Sequence, residues 1–197
     1  LTSIPCKVME SCIRDAVTDH LVINQLIKDS QHGFMRHKST TTNLLEFLET
    51  MTSEQDQGLS MDVIYLDFAK AFDKVPHRRL LEKFRAHSIQ GKVLNWIENW
   101  LADRKQRTVL NGAESEWSDV GSGVPQGSVL GPLAFIVFIN DIDMVCNFIK
   151  LMKKFADDTK AANTIRTVRD VEDLQDCLNR LVTWADTWGM EFNVTKC

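Results

Sequence analysis

The sequence has no run of about 18 uninterrupted apolar residues, the least a membrane-spanning helix needs. Its richest apolar stretch, Leu130 to Val145, is broken by Asn140, Asp141 and Asp143, so no membrane partner is expected. The first residues are mixed polar, unlike a signal peptide. Positive charge is not in excess either: 23 Lys and Arg face 27 Asp and Glu, a formal net charge of −4. That average argues mildly against a nucleic-acid binder, although an acidic metal site would itself pull it down. The five cysteines include no C-x-x-C pair, and His20, His32, His37, His77 and His87 have neither metal nor triad spacing. Cysteine–histidine metal sites and histidine triads therefore drop out. Cys6, Cys12, Cys146 and Cys177 lie in apolar periodic stretches and read as buried thiols of a reducing, intracellular protein. Internal repeats and low-complexity tracts are absent.

What is present suffices for one domain, or one with a small appendage: 197 residues, 44% of them hydrophobic. Apolar residues at helical spacing over 6–29 (among them Val8, Ile13, Val17 and Leu21) predict a largely helical segment. A turn follows at His32-Gly33-Phe34. Thr40 to Thr52 predicts a second helix with Leu44, Leu45, Leu48 and Met51 facing inward, followed by a polar turn over Gln55–Ser60. Met61 to Asp67 has the β-branched and aromatic content of a buried strand. Pro76 opens a helix carrying Leu80, Leu81 and Phe84, and Val93 to Leu101 forms another apolar face. Asn111-Gly112 is a hairpin signal between Thr108–Leu110 and Glu116–Val120. Leu133 to Val145, apolar nearly all round, predicts a buried helix. Strands at Leu151–Ala156 and Thr159–Ala162 flank Asp157-Asp158, a long amphipathic helix runs from Val168 to Trp188, and Met190 to Val194 is strand-like. This mixture predicts an α+β architecture, an antiparallel sheet with helices on one face.

Two acidic positions stand out. Asp67 ends the apolar run Val63-Ile64-Tyr65-Leu66, and Asp157-Asp158 follow a second strand-like stretch. Acids at the tips of neighbouring strands repel and lose hydration, an arrangement that persists mainly where a divalent cation neutralises it. A lone Asp-Asp is by itself a solvated turn; the separate strand of Asp67 and the apolar flanks favour the metal reading. Between the acids, Gly123, Gly127 and Gly131 bracket Pro125 and Gln126, a loop whose backbone can approach a ligand closely. Asp73 and Asp141 read as turn or cap acids, and Trp96, Trp100 and Trp188 as core.

Five segments carry a family resemblance. Tyr65-Leu66-Asp67-Phe68-Ala69-Lys70-Ala71-Phe72-Asp73, Gly123-Val124-Pro125-Gln126-Gly127-Ser128 and Phe155-Ala156-Asp157-Asp158 closely resemble reverse transcriptases of animal non-LTR (LINE-type, jockey-like) retrotransposons. Gln31-His32-Gly33-Phe34-Met35-Arg36-His37-Lys38 resembles that family's fingers motif, and Trp188-Gly189-Met190-Glu191-Phe192 through Lys196 its last palm motif. The resemblance implies a ferredoxin-like polymerase palm over 61–197, with a fingers insertion at about 76–122, and partial helical fingers over 1–60. It implies two Mg²⁺ ions (or Mn²⁺) held by Asp67 and Asp157, helped by Asp158 and the Phe68 carbonyl. Lys196 is then the acid that protonates pyrophosphate. Phe72 rejects a 2′-hydroxyl, and Gln126 and Gly127 meet the nucleotide. The partners implied are an RNA template, a DNA primer and deoxynucleoside triphosphates, in nucleus and cytoplasm.

Basic residues keep two readings each. Arg36 and Lys38 suit triphosphate contacts or a solvated basic turn. Arg104, Lys105 and Arg107, and likewise Lys150, Lys153 and Lys154, suit template or primer phosphates or a solvated face. The chain opens without methionine and ends at Cys197 after a strand-like run, as a piece of a longer protein would. The family's thumb and endonuclease are not in it, so primer extension at physiological salt is expected to be weak. The alternative is a non-catalytic retroelement remnant that at most binds nucleic acid or protein. A Mg²⁺-dependent phosphohydrolase is disfavoured, because Asp67-Phe68-Ala69 lacks an alternate aspartate and no Gly-rich phosphate loop opens a helix.

Overall fold

A computed structural model describes residues 2–197. Helix α1 (Ile4–Ile23) starts where the Ser3 hydroxyl accepts the Cys6 amide, with Pro5 in the first turn. Ile13, Val17 and Leu21 carry its stripe into the core. The helix ends at Ile23, short of the 29 expected, because Asn24 closes it and Gln25 turns left-handed at φ 52°. Helix α2 (Thr40–Asp56) is nucleated by a reciprocal Ser39–Thr42 capping box and runs through the expected turn to Asp56.

The face that α2 buries corrects the sequence expectation. Asn43, Phe47 and Glu54 are inside, whereas Leu44, Leu45 and Leu48 are exposed. Polar side chains anchor the helix to the sheet: Asn43 donates to the Lys154 carbonyl at 3.0 Å, and Glu54 accepts the Thr164 hydroxyl at 2.7 Å. Such bonds override the leucine pattern.

Strand β1 (Ser60–Leu66) is followed by short helix α3 (Ala71–Lys74), then α4 (His77–Ala86), which Pro76 caps, and α5 (Gly91–Leu101). A small excursion follows: β2 (Lys105–Gln106) pairs with β5 (Ser118–Asp119), and β3 (Val109–Leu110) with β4 (Ala113–Glu114) around Asn111-Gly112. All eight of these strand residues are exposed. Helix α6 (Gly131–Ile139) is almost wholly buried and passes into a 3₁₀ segment, Asn140–Cys146, so the long apolar helix expected to Val145 changes form at Asn140.

Hairpin β6 (Leu151–Phe155) and β7 (Asp158–Ile165) completes the main sheet, in the order β1-β7-β6, all antiparallel. β1 is therefore an edge, and of its residues only Leu66 is buried, not the fully buried strand expected. β7 is the centre: Ala161 to Thr164 are all buried, on both faces by the pleat. Asn163 donates to the Asp170 carbonyl on helix α7 (Val168–Trp188), while its neighbour Thr164 bonds to α2. Helix α7 thus lies on one face and α2 reaches over the other. Gly189, at φ 73°, stops α7. The expected strand over 190–194 is reduced to one bridge, Phe68 to Phe192.

Cys146 and Cys177 are buried as expected, but joined as a disulfide between the 3₁₀ segment and α7 rather than left as thiols. Cys12 is exposed and Cys6 half-buried, so neither is the buried thiol expected. Among the described residues no helix is long and apolar enough to cross a membrane.

Candidate active site

The register of β1 on β7 builds the site. Leu66 pairs with Thr159 at the end of the ladder, so the next residues, Asp67 and Asp158, emerge at the same sheet end, beside Tyr65 and Lys160. These residues and Lys196 line a cavity of about 310 Å³. Phe155 pairs with Asp158, so Ala156-Asp157 is a two-residue turn, and Ala156 takes the positive φ (54°) that tight hairpins require. Asp157 therefore stands at the tip, half-buried, with the exposed Asp158 beside it.

The electrostatics are those of crowded acids. The Asp67 side chain is 14% exposed, and its Oδ2 is buried, accepts no well-formed hydrogen bond and lies 2.9 Å from the Lys196 ammonium. Burial pushes the Asp157 carboxyl above its usual range, and Asp158 and Asp67 push it further, against relief from its own amide and from Lys196. Asp67 holds the Lys196 ammonium above its ordinary range, with Asp158 and Asp157 adding to the effect. The tail is delivered by backbone bonds: the Asn193 amide donates to the Asp67 carbonyl at 2.8 Å and the Lys196 amide to the Asn193 carbonyl at 2.9 Å. Phe68 is buried, its ring stacked 4.6 Å from that of Phe192.

The donor set is of the kind a hard divalent cation takes: three carboxylates at one sheet end, with the Lys196 ammonium now set against Asp67. Among the described residues no three His, Cys, Asp or Glu side chains form a ready metal cage. Mg²⁺ does not need one, since it binds through one or two carboxylates, waters and substrate phosphates.

A second cavity, of about 300 Å³, is bounded by Phe72, Val124, Pro125, Gln126 and Gly127. The Phe72 ring is fixed by stacking on Phe135 (4.4 Å) and by an edge contact with Phe34 (6.3 Å). The glycine loop is tied to α3: Val124 donates its amide to the Phe72 carbonyl at 2.9 Å, and Gln126 its Nε2 to Asp73 at 3.3 Å. Gly123 (φ 87°) passes so near Asp73 that a Cβ would sit 2.7 Å from its carbonyl oxygen. Asp73 is thus a partner of Gln126 rather than a simple turn acid. Asp141 pairs with the buried Lys83 and accepts the Trp184 indole at 3.1 Å.

The basic residues divide. Arg36 is exposed beside a cavity of about 770 Å³ that Phe34 and Met35 also line. Lys38 turns back onto the Asp29 carbonyl. Arg104 donates to the Trp100 carbonyl at 2.6 Å, Lys105 lies 3.7 Å from Asp119, and Arg107 pairs with Glu114 under Trp117. Lys150 and Lys153 pair with Glu54 and Glu46. Lys154 is fully buried against Asp143, which removes it from any phosphate-binding face.

Glu10 escaped the sequence reading. Fully buried on α1, it accepts the amides of Val129 (2.6 Å) and Leu130 (3.2 Å) and the Trp100 indole (3.0 Å), fastening the end of the glycine loop. The signal was a lone acid in the stripe Cys6, Ile13, Val17, Leu21.

Known proteins resemble this chain in sequence and in fold. The probable RNA-directed DNA polymerase from transposon X-element of Drosophila melanogaster is 27% identical over 96% of this chain, which covers 21% of it. The RNA-directed DNA polymerase from mobile element jockey of the same species is 26% identical over 97% of the chain, which covers 22% of it. The chain thus spans about a fifth of the length of these relatives. Among solved structures, the telomerase of Candida albicans superposes with a TM-score of 0.72 at 10% identity, over 95% of this chain and 34% of its own. Apo telomerase of Candida tropicalis gives 0.71 at 14% identity, over 94% and 39%. The fold shared with them is the polymerase palm. The model of the family described as reverse transcriptase (RNA-dependent DNA polymerase) matches residues 1–197, and this chain belongs to that family.

Proposed function

We propose that this chain is the catalytic core of an RNA-directed DNA polymerase, adding deoxynucleotides to a primer 3′-end by phosphoryl transfer. The observation that carries the reading is the gathering of Asp67, Asp157 and Asp158 at one sheet end, with the Lys196 ammonium among them. Asp67 and Asp157, assisted by Asp158 and the Phe68 carbonyl, would hold two Mg²⁺ ions. When bound, they supply Lewis-acid stabilisation to the attacking and leaving oxygens.

The chain's own groups do the rest. Lys196 keeps its proton on Nζ beside Asp67 and offers it toward the leaving pyrophosphate. Phe72, wedged between Phe135 and Phe34, walls the sugar position so that a 2′-hydroxyl clashes. Gln126 and Gly127 meet the nucleotide from a loop that Asp73 steadies. Arg36 is exposed to reach the triphosphate, whereas Lys38 must first leave Asp29. Arg104, Lys105 and Arg107 face template or primer phosphates, their charge tempered by acidic neighbours.

Extension of a DNA primer annealed to RNA tests the reading. With Mg²⁺ and deoxynucleotides the chain should extend the primer, and Asp157→Asn should lower the rate at least about a hundredfold, the order lost when one preorganised electrostatic partner goes. No extension by the unsubstituted chain, with nucleic-acid binding intact, would favour the remnant reading.

A further inference from the structure

Gln31 is buried, with 1% of its surface exposed. Its Oε1 accepts two backbone amides, from Gly33 at 2.8 Å and from Ala156 at 3.0 Å. Its Nε2 is buried and donates to nothing among the described residues. A hydrocarbon side chain of the same length would fill the space without stranding a donor. Packing therefore does not explain an amide here; the accepting oxygen does.

The amides it holds are informative. Ala156 is the left-handed residue of the two-residue turn and immediately precedes Asp157. The segment bearing Gln31 runs along the same hairpin: the Lys154 amide donates to the Ser30 carbonyl at 2.8 Å and the His32 amide to the Lys154 carbonyl at 2.9 Å. Gly33 presses so close that a Cβ there would lie 2.3 Å from the Ala156 nitrogen. One residue on, Phe34 sets its edge against Phe72. A single buried oxygen thus joins the segment behind the nucleotide pocket to the turn that carries Asp157.

We propose that Gln31 is a positioning residue whose side-chain oxygen fixes the Ala156-Asp157 turn, and through it the Asp157 carboxylate, against Asp67. The proposal rests on the polymerase reading of these acids and adds a residue that touches no substrate. Without the oxygen, the Ala156 amide is left unpaired in the interior and the turn loses the bond that holds it open. A misplacement of about 1 Å in a reacting group costs on the order of a hundredfold in rate.

The test compares Gln31→Met and Gln31→Glu in the intact polypeptide, by primer extension at varied deoxynucleotide concentration and by amide hydrogen exchange at Ala156. Gln31→Met should lower kcat roughly 10- to 100-fold and leave KM for the deoxynucleotide within about threefold. Gln31→Glu keeps an oxygen at the position and should restore kcat to within about threefold of the parent. Exchange at Ala156 should quicken in Gln31→Met alone. Unchanged kcat in Gln31→Met, equal losses in both variants, or a loss confined to KM would overturn the proposal. If Gln31→Met does not fold, Gln31→Asn takes its place: its oxygen sits one methylene short, so the same loss in kcat is expected in a variant whose thermal melt shows it folded at the assay temperature, and no loss refutes the clamp. Absence of extension by the parent chain would defeat the polymerase reading, and Ala156 exchange would then decide the clamp alone.

Discussion

Glu10 shows how a single buried acid can organise a loop 119 residues away in sequence. Burial pushes its carboxyl up, but the amides of Val129 and Leu130, with Cys6 and the Trp100 indole, outweigh that and hold it below its ordinary 4.5. As pH falls past that value the unfolded chain takes up a proton that the folded chain still refuses. The stabilisation is therefore complete above about pH 4.5 and is lost as pH drops through the folded pKa. Glu10→Leu strands three donors and should cost about 3–9 kcal/mol, at one to three for each. Glu10→Gln, which keeps one oxygen, should cost less and flatten the acid limb of stability relative to the parent. Urea midpoints measured from about pH 3 to 7 read both effects. At Phe72 the expectation concerns selectivity. If Phe72 walls the sugar as proposed, Phe72→Ala should raise ribonucleotide incorporation relative to deoxynucleotide at least about tenfold, one clash relieved being worth about 1.4 kcal/mol. Competition between the two nucleotides during primer extension measures it; an unchanged ratio would make Phe72 a core residue only.

At the scale of elements, α2 separates pattern from anchorage. Phe47 is its large buried apolar residue, while Leu48 on the same helix is exposed. Phe47→Ala should cost about 3–5 kcal/mol and Leu48→Gln less than about 0.5 kcal/mol, as thermal melts would read. Comparable losses would mean that the leucine face is covered after all. The same helix explains what the sequence made legible. The span of α7 was readable because a sustained 3.6-residue stripe can be satisfied in one way, and the β3–β4 turn because Asn111-Gly112 supplies the positive φ it needs. The inward face of α2 was not readable, since Asn43 and Glu54 draw it in through partners 111 and 110 residues away. The exposure of β1 was hidden for a related reason: composition does not say which strand lies at the edge. That Asp67, Asp157 and Asp158 would lie at strand ends was legible from the apolar runs before them. What Glu10 and Gln31 hold was not legible, because buried polar residues show their partners only through the backbone groups they meet.

For the whole molecule, charge bears on how a nucleic acid would be held under the proposed function. The chain carries a net −4, and the basic residues of the β2–β5 excursion sit beside acids: Lys105 near Asp119, Arg107 on Glu114. Lys150, Lys153 and Lys154, before the Ala156-Asp157 turn, are likewise paired with Glu54, Glu46 and Asp143. A cation already neutralised by a carboxylate displaces few counterions from a phosphate, because its own partner must first be given up. Binding of these 197 residues to an RNA–DNA duplex should therefore depend weakly on salt. The affinity loss between 50 and 200 mM salt should be on the order of tenfold, against the 10³–10⁵ of a protein making six to ten phosphate contacts. Fluorescence anisotropy with a labelled duplex across that range gives the slope directly. Glu114→Gln and Asp119→Asn release Arg107 and Lys105, and each should steepen the slope by about one phosphate contact while tightening binding at low salt. A steep slope in the parent chain, unmoved by either substitution, would place the phosphate contacts elsewhere on the surface.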